Sequence, residues 1–536
     1  MGIPSYFSHI VKKHRAIIKK FIQHKEKINN LYLDSNSIIY DAVHELPKET
    51  NYAQLEDTLI SAVCQKIIYY VKLLQPNHTV FIAFDGVAPV AKLNQQRRRR
   101  YMTWFQSQMM LSDSTTNEKW NTSNITPGTS FMNQLADKVK LRFANPKEFG
   151  LAKIMVSAAD EAGEGEHKIY DYIRSLPAYH KSSTTVIYGL DADLIMLTLN
   201  HLHISDRMFL FRETPHFIKS LDNTLDPNSL YLLDIPLFSK SIITDLSTNT
   251  SSLKNININN NNNNNKLFDY IFICFLLGND FMPHFPALNI RTKGIDHLIL
   301  AYKHILGTTN GLTTDNGNKI IWKNFRKYIG YLAEQEHDYL IAEYILRDKM
   351  ANKKPFHKNT DHKDDKEELL LSLPMKDRTV EHYINPFEEG WRERYYSALF
   401  DIKINDKRCK EICINYLEGL EWTMKYYTSG CIDWRWTYKY HYPPLLSDLI
   451  KYIPYFDTTL VSVKVKNPVT PMVQLCYVLP KSSHYLLPQK VHALIKPEWY
   501  STNCRFQWAF CKYFWESHMD MPDIDINRLE HVIVKM

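Results

Sequence analysis

Thr185–Asp193, TVIYGLDAD, is a run of β-branched and aromatic residues that ends in two carboxylates. LYLD (Leu31–Asp34) and TVFIAFD (Thr79–Asp85) have the same form. Near-continuous apolar runs separated by helix-like segments predict buried strands of a mostly parallel sheet flanked by helices, an α/β fold. In such sheets ligands bind beyond the carboxyl ends of the strands, where these acids fall. MFLFR (Met208–Arg212) predicts a further strand without a terminal acid. A helix is predicted from about Pro89 to Met110, because the stretch after Pro89 lacks Gly and Pro. A second is predicted to begin at Thr126, with that Thr as N-cap and Pro127 in the first turn.

The 536 residues are 44% hydrophobic and 23% charged, which excludes wholesale disorder, collagen and coiled coil. With 65 Lys and Arg against 58 Asp and Glu, the net charge of +7 favours a polyanionic partner such as nucleic acid. None of the eight Cys is spaced as CxxC, so neither a disulfide framework nor a zinc site is expected, and a reducing compartment fits best. The longest apolar run, Tyr270–Leu277, is far short of the roughly 20 residues a spanning helix needs. A soluble, cytoplasmic monomer without membrane contact is expected. The Asn-rich run near residues 247–266 is expected to be a disordered loop. The charged stretch at 351–380, including KKPFHKNTDHKDDKEE (Lys353–Glu368), is expected to be a linker between a domain at 1–350 and a second at 381–536.

The chemistry is carried by acids at loop positions: Glu164 and Glu166 in EAGEGEHK, Asp191 and Asp193 in GLDADL, and Asp280 in GNDFMPH. With Asp34 and Asp85 they make seven carboxylates, which repel one another unless cations neutralise them. Oxygen ligands without Cys indicate a hard cation, Mg²⁺ or Mn²⁺. Two such ions about 4 Å apart suit in-line phosphodiester cleavage. Each element alone is weak evidence, since an Asp at a strand end is more often a helix cap.

Directly after Asp85 comes DGVAPVAKLNQQRRRRY. At about 100° per residue, Lys92, Gln96, Arg99 and Arg100 share one helix face, with an ammonium, an amide and two guanidinium forks suited to a terminal phosphate. The competing reading of RRRR is a solvated face or a nuclear localisation signal, which would place the protein in the nucleus.

These blocks together resemble the Xrn family of 5′-to-3′ exoribonucleases. MGIPSYF, LYLDSNSIIY, FDGVAPVAKLNQQRRRR, ITPGT, GEGEHK, YGLDADLIML and GNDFMPHFP occur in the family's order. YLEGLEWTMKYYTSGCIDWRWTYKYHYPPLLSD and MVQLCYVLPKSSHYLLP resemble its second conserved region. The resemblance implies a PIN/FEN-like nuclease domain with a mainly helical second region that restricts access to the site. It implies metal ligation by the same seven acids, and a 5′-monophosphate pocket at Lys92, Gln96, Arg99 and Arg100, with Lys92 also acting in catalysis. It further implies a pair of rings that sandwich the leading bases. Tyr40 stands where the family has His, and its partner is Trp434 or Trp436, which sequence does not separate. Larger family members continue with further β-rich domains, so a compact version of the enzyme is expected from a sequence that stops at Met536.

The reaction implied is processive hydrolysis of 5′-monophosphorylated single-stranded RNA to nucleoside 5′-monophosphates with two Mg²⁺ ions, Mn²⁺ substituting. Two rivals stand beside it: a structure-specific flap endonuclease and an inactive RNA-binding scaffold.

Overall fold

The computed structural model describes residues 2–21, 26–45, 54–110, 120–213, 218–226, 228–248, 261–306, 311–352 and 362–535. Seven strands form the main sheet: β1 (Ile18–Lys20), β2 (Asn30–Asp34), β3 (Thr79–Ala83), β4 (Lys153–Ser157), β5 (Thr185–Tyr188), β6 (Met208–Arg212) and β7 (Tyr231–Asp234). Their order is β1-β7-β6-β5-β2-β3-β4. The five from β6 to β4 run parallel, while β7 is antiparallel to both β6 and β1.

The alternation of side chains across each strand divides the core in two. Tyr32, Phe81, Ala83 and Ile187 enter one apolar cluster, whereas Leu31, Leu33, Val80, Ile82, Val186 and Tyr188 enter the other. Both faces are therefore covered, which is why these runs are apolar throughout rather than alternating. The chain pairs β2 with β3, continues to β4, and then returns to the other side of β2 as β5. This reversal puts a crevice at the carboxyl end of β2, the position where open α/β sheets bind ligands.

The second region has a cluster of its own around Tyr395, Tyr396 and Phe510, but it also builds into the cores of the first. Tyr416, Leu420 and Trp422 of the helix Asp406–Thr428 lie in the same cluster as Tyr32, Phe81 and Phe275. The helix Pro471–Val478 packs against the helix Val90–Met110, sharing a smaller cluster through Leu93, Val473 and Leu475.

Several expectations shift. The strands predicted over Thr79–Asp85 and Thr185–Asp193 end earlier, at Ala83 and Tyr188, leaving their acids on the loops beyond. The helix expected from Thr126 starts at Ser130, because Thr126–Gly128 first makes a turn and Thr129 is the cap, accepting from the Met132 amide. Within the supposed Asn-rich loop, residues 249–260 lie outside the described residues, but the helix Asn261–Cys274 already takes in the last asparagines. Residues 353–361 of the supposed linker also lie outside them, and His362–Lys376 is helical. All eight Cys are free thiols. No helix among the described residues is long and apolar enough to cross a membrane.

Candidate active site

Asp34 is the last residue of β2, and its buried Oδ1 has no hydrogen-bond partner among the described residues. Asp85, beyond β3, is held from two sides. Its Oδ2 accepts from Asn36 Nδ2 at 2.6 Å, and its Oδ1 accepts from the Gly165 amide at 2.7 Å. Gly165 is required at that spot, since a Cβ there would stand 2.7 Å from Asp34 Oδ1 and 3.2 Å from the Ala83 carbonyl. Glu164 and Glu166 flank it at the start of the helix Gly165–Ser175. Carboxylate oxygens of Asp34, Asp85 and Glu166 all lie within 4.8 Å of one another.

Asp193 opens the helix Asp193–His201, and Asp191 precedes it on the loop after β5. Gly2, with φ of 56°, comes so close that a Cβ would overlap Asp193 Oδ1. Asp280 reaches in from the loop after the short turn Phe275–Leu277. Lys92 is the ammonium at the centre, with Nζ 2.8 Å from Asp280 and 2.9 Å from Glu164.

Burial and mutual repulsion disturb these groups strongly. Burial, followed by the charges of Asp85 and Asp191, pushes Asp34 well above the usual carboxylate range. Glu166 is raised in the same way by burial and by Glu164. Asp193 is pushed up to about 7 by burial and then by Asp280. Burial alone would raise Asp280 too, but the Lys92 ammonium overrides it and holds that carboxyl well below its usual value. Lys92 is itself raised well above the usual range, because Asp280, Glu164 and Glu166 outweigh its desolvation. One lysine leaves most of the cluster uncompensated. Orphaned buried oxygens on Asp34 and Asp193, together with an all-oxygen set, fit a hard divalent cation.

The basic helix divides its arginines. Arg97 is buried against the second region, donating to the Trp499 carbonyl at 2.9 Å and lying over the Tyr477 ring. Arg100 is half-buried, donates to the Ile125 carbonyl at 3.4 Å, and burial lowers it to about 10 with Tyr40 beside it. Arg99 is exposed, and Gln96 accepts from Gln474 Nε2 at 3.5 Å. Lys92 is thus drawn into the acid cluster, while Gln96, Arg99 and Arg100 remain nearer solvent. Tyr40 is 40% exposed on the helix Asn36–His44.

The two tryptophans separate clearly. Trp436 is buried and stacks on Trp422 at 5.0 Å. Trp434 keeps part of its surface exposed, and its carbonyl accepts from the Val90 amide at the head of the basic helix.

Three contributors were missed in the sequence. Lys168 is buried and donates to the Phe84 and Ala158 carbonyls, both at 2.8 Å, tying together the ends of β3 and β4. Burial lowers it to about 8. His167 stacks on Tyr426 at 3.7 Å, continuing a column of rings through Trp422 to Trp436. The Tyr426 hydroxyl donates to Glu164 Oε2 at 3.2 Å, so the second region contributes directly to the acid cluster. GEGEHK carried a signal for Lys168 and His167, while nothing local pointed to Tyr426.

Residues 1–214 match the family model for the XRN 5′-3′ exonuclease N-terminus, and residues 260–382 and 342–536 match that for the Xrn1 helical domain. The chain belongs to the Xrn family. Among its Xrn relatives, it is 26% identical to the 5′-3′ exoribonuclease 2 homolog of Drosophila melanogaster, aligned over 100% of this chain and 71% of that protein. It is 27% identical to 5′-3′ exoribonuclease 1 of Homo sapiens, over 99% of this chain. It is 26% identical to 5′-3′ exoribonuclease 1 of Saccharomyces cerevisiae, over 93% of this chain. The Xrn chain described here spans 34% and 40% of those last two proteins.

Proposed function

We propose that the chain is a 5′-to-3′ exoribonuclease, hydrolysing 5′-monophosphorylated single-stranded RNA and releasing nucleoside 5′-monophosphates. The observation that carries this is Lys92. It bridges Asp280 and Glu164 in the acid cluster, yet belongs to the helix that bears Gln96, Arg99 and Arg100. A centre for cleavage and a pocket for an anion therefore share one helix, and the step from Lys92 to Gln96 is about 6 Å along its axis. A single nucleotide can bridge that distance.

The cations proposed are two Mg²⁺, with Mn²⁺ as substitute, held by Asp34, Asp85, Glu164, Glu166, Asp191, Asp193 and Asp280. When bound, they lower the pKa of water and offset charge on the leaving 3′-oxygen. The chain's own residues position the reactants. Asn36 and the Gly165 amide fix the Asp85 carboxylate, and Lys92 keeps its proton near the scissile phosphate, where negative charge builds. Gln96, Arg99 and Arg100 bind the 5′-phosphate through charge-assisted hydrogen bonds, which a 5′-hydroxyl forfeits. Tyr40 and Trp434 offer faces for the leading bases, without sequence preference. Free buried thiols fit a reducing compartment, the cytoplasm or the nucleus.

The test supplies 5′-labelled monophosphate RNA, triphosphate RNA and a flap DNA with Mg²⁺. Labelled mononucleotide released from the monophosphate RNA alone is expected. Preferred cutting of the flap, or no turnover with either Mg²⁺ or Mn²⁺, overturns the reading.

A further inference from the structure

The helix Val90–Met110 has a third face, turned away from the buried Arg97 and bordering the phosphate pocket at Arg99. Ala91, Asn94, Gln95, Arg98, Arg99 and Met102 line a cavity of about 390 Å³ there, within the range usual for small-molecule sites. The cavity begins at the acid cluster, with Asp280 and Asn279 in its wall, and runs to the second region at His441, Trp515 and His518.

Its lining is unsatisfied in a particular way. Arg98 is half-buried, and burial lowers its pKa against the charges of Tyr477 and Asp520. The buried Asn279 Nδ2 is a donor without an acceptor, and His441 Nδ1 likewise lacks a partner. On the far wall His441 and His518 stack with planes 11° apart, and burial keeps His518 neutral. Trp515 is 46% exposed and stacks on Tyr513 at 4.2 Å. A guanidinium, a spare amide donor and a half-exposed indole together suit a ligand with a phosphate at one end and a planar ring at the other.

We propose that this cavity is a second binding site, for a nucleoside 5′-monophosphate, through which the reaction product leaves the metal centre. The proposal rests on the exoribonuclease reading, since that reaction makes this ligand. A processive enzyme keeps its remaining RNA in the entrance, so a product that leaves by the same path must displace the substrate. A compartment that begins at Asp280 and runs past Arg98 to Trp515 removes that conflict. Arg98 draws the freed phosphate across, and Trp515 receives the base.

Equilibrium dialysis of radiolabelled adenosine 5′-monophosphate against the full chain with Mg²⁺ tests it. Two sites per chain are expected. Arg100→Ala removes one, while Arg98→Glu weakens the other by about tenfold or more, through charge reversal at the phosphate. Trp515→Ala, at a half-exposed position that spares the fold, weakens that same site. A single site lost with Arg100→Ala and untouched by Arg98→Glu and Trp515→Ala overturns the proposal. Loss of both sites in Arg98→Glu with the circular dichroism unchanged also overturns it, since Arg98 would then serve the phosphate pocket. Two sites on a chain that degrades no RNA would sink the exoribonuclease reading and leave the second site standing.

Discussion

Leu31–Asp34 reads LYLD and Tyr231–Asp234 reads YLLD, and each is a strand of the same sheet that ends in an aspartate. Their fates differ because their directions differ. Asp34 pairs with Ala83 at the carboxyl end of the parallel strands, among six other acids. Asp234 pairs with Phe209 near the start of β6, since β7 runs antiparallel, and so it lies at the opposite end of the sheet. There its Oδ1 accepts from the Leu237 amide at 2.9 Å and caps the helix Ile235–Leu246. An acid at a strand end becomes a metal-site candidate or a cap according to strand direction, which four residues do not encode.

The largest effect expected from breaking this contrast is at Asp34. Asp34→Asn should lower kcat on monophosphate RNA by about 10³-fold, the loss of several kcal/mol of transition-state stabilisation. The melting temperature without metal should stay the same or rise, because one repelling charge is gone. A variant with near wild-type turnover would remove Asp34 from the site.

Next comes the pH response of the acid cluster. Asp193, raised on folding from 3.8 to about 7, favours the folded state fully below its unfolded value, and that contribution fades as pH climbs through the folded one. In EDTA the melting temperature should therefore fall between about pH 4 and pH 7, and Asp193→Asn should flatten the fall. Mg²⁺ should restore stability at about pH 8 and have less effect near pH 4, where Asp34, Glu166 and Asp193 hold their protons. An unchanged slope in the variant would refute the assignment.

The tryptophan pair should split by kind of effect. Trp436→Ala removes a buried ring and should cost about 3–5 kcal/mol of stability, read by denaturant unfolding. Trp434→Ala should leave stability intact and weaken RNA binding by about 1–3 kcal/mol, seen as a raised KM. The smallest effect is expected at Asp234. Asp234→Ala should lose about 1 kcal/mol of stability as a cap, with activity per folded molecule unchanged.

Much of the fold was legible because its strands are buried on both faces and therefore apolar throughout. β6 was read to the residue, and the acids of β2, β3 and β5 come to one end of the sheet. β4 and β7 escaped because neither stands out by composition: Lys153–Ser157 is partly exposed, and Tyr231–Asp234 is short. Helical periodicity placed Lys92, Gln96, Arg99 and Arg100 on one face, but did not show that Lys92 is captured by carboxylates or that Arg98 borders a cavity. Those facts depend on Asp280 and on residues beyond 430, which arrive from other parts of the chain. The ITPGT helix start was misplaced because Gly128, at φ of 93°, lets the loop turn against Pro471 and Leu475 before the helix begins.

The hydrogen bond from Tyr426 to Glu164 joins residues 262 positions apart. During synthesis, at roughly 5–20 residues per second, Glu164 leaves the ribosome well before its partner is made. The acid cluster is therefore left without that contact, and without the wall of rings behind it, for about 13 to 52 s at those rates. A nascent chain held within reach of its own message carries an unfinished centre, which elements made much later complete.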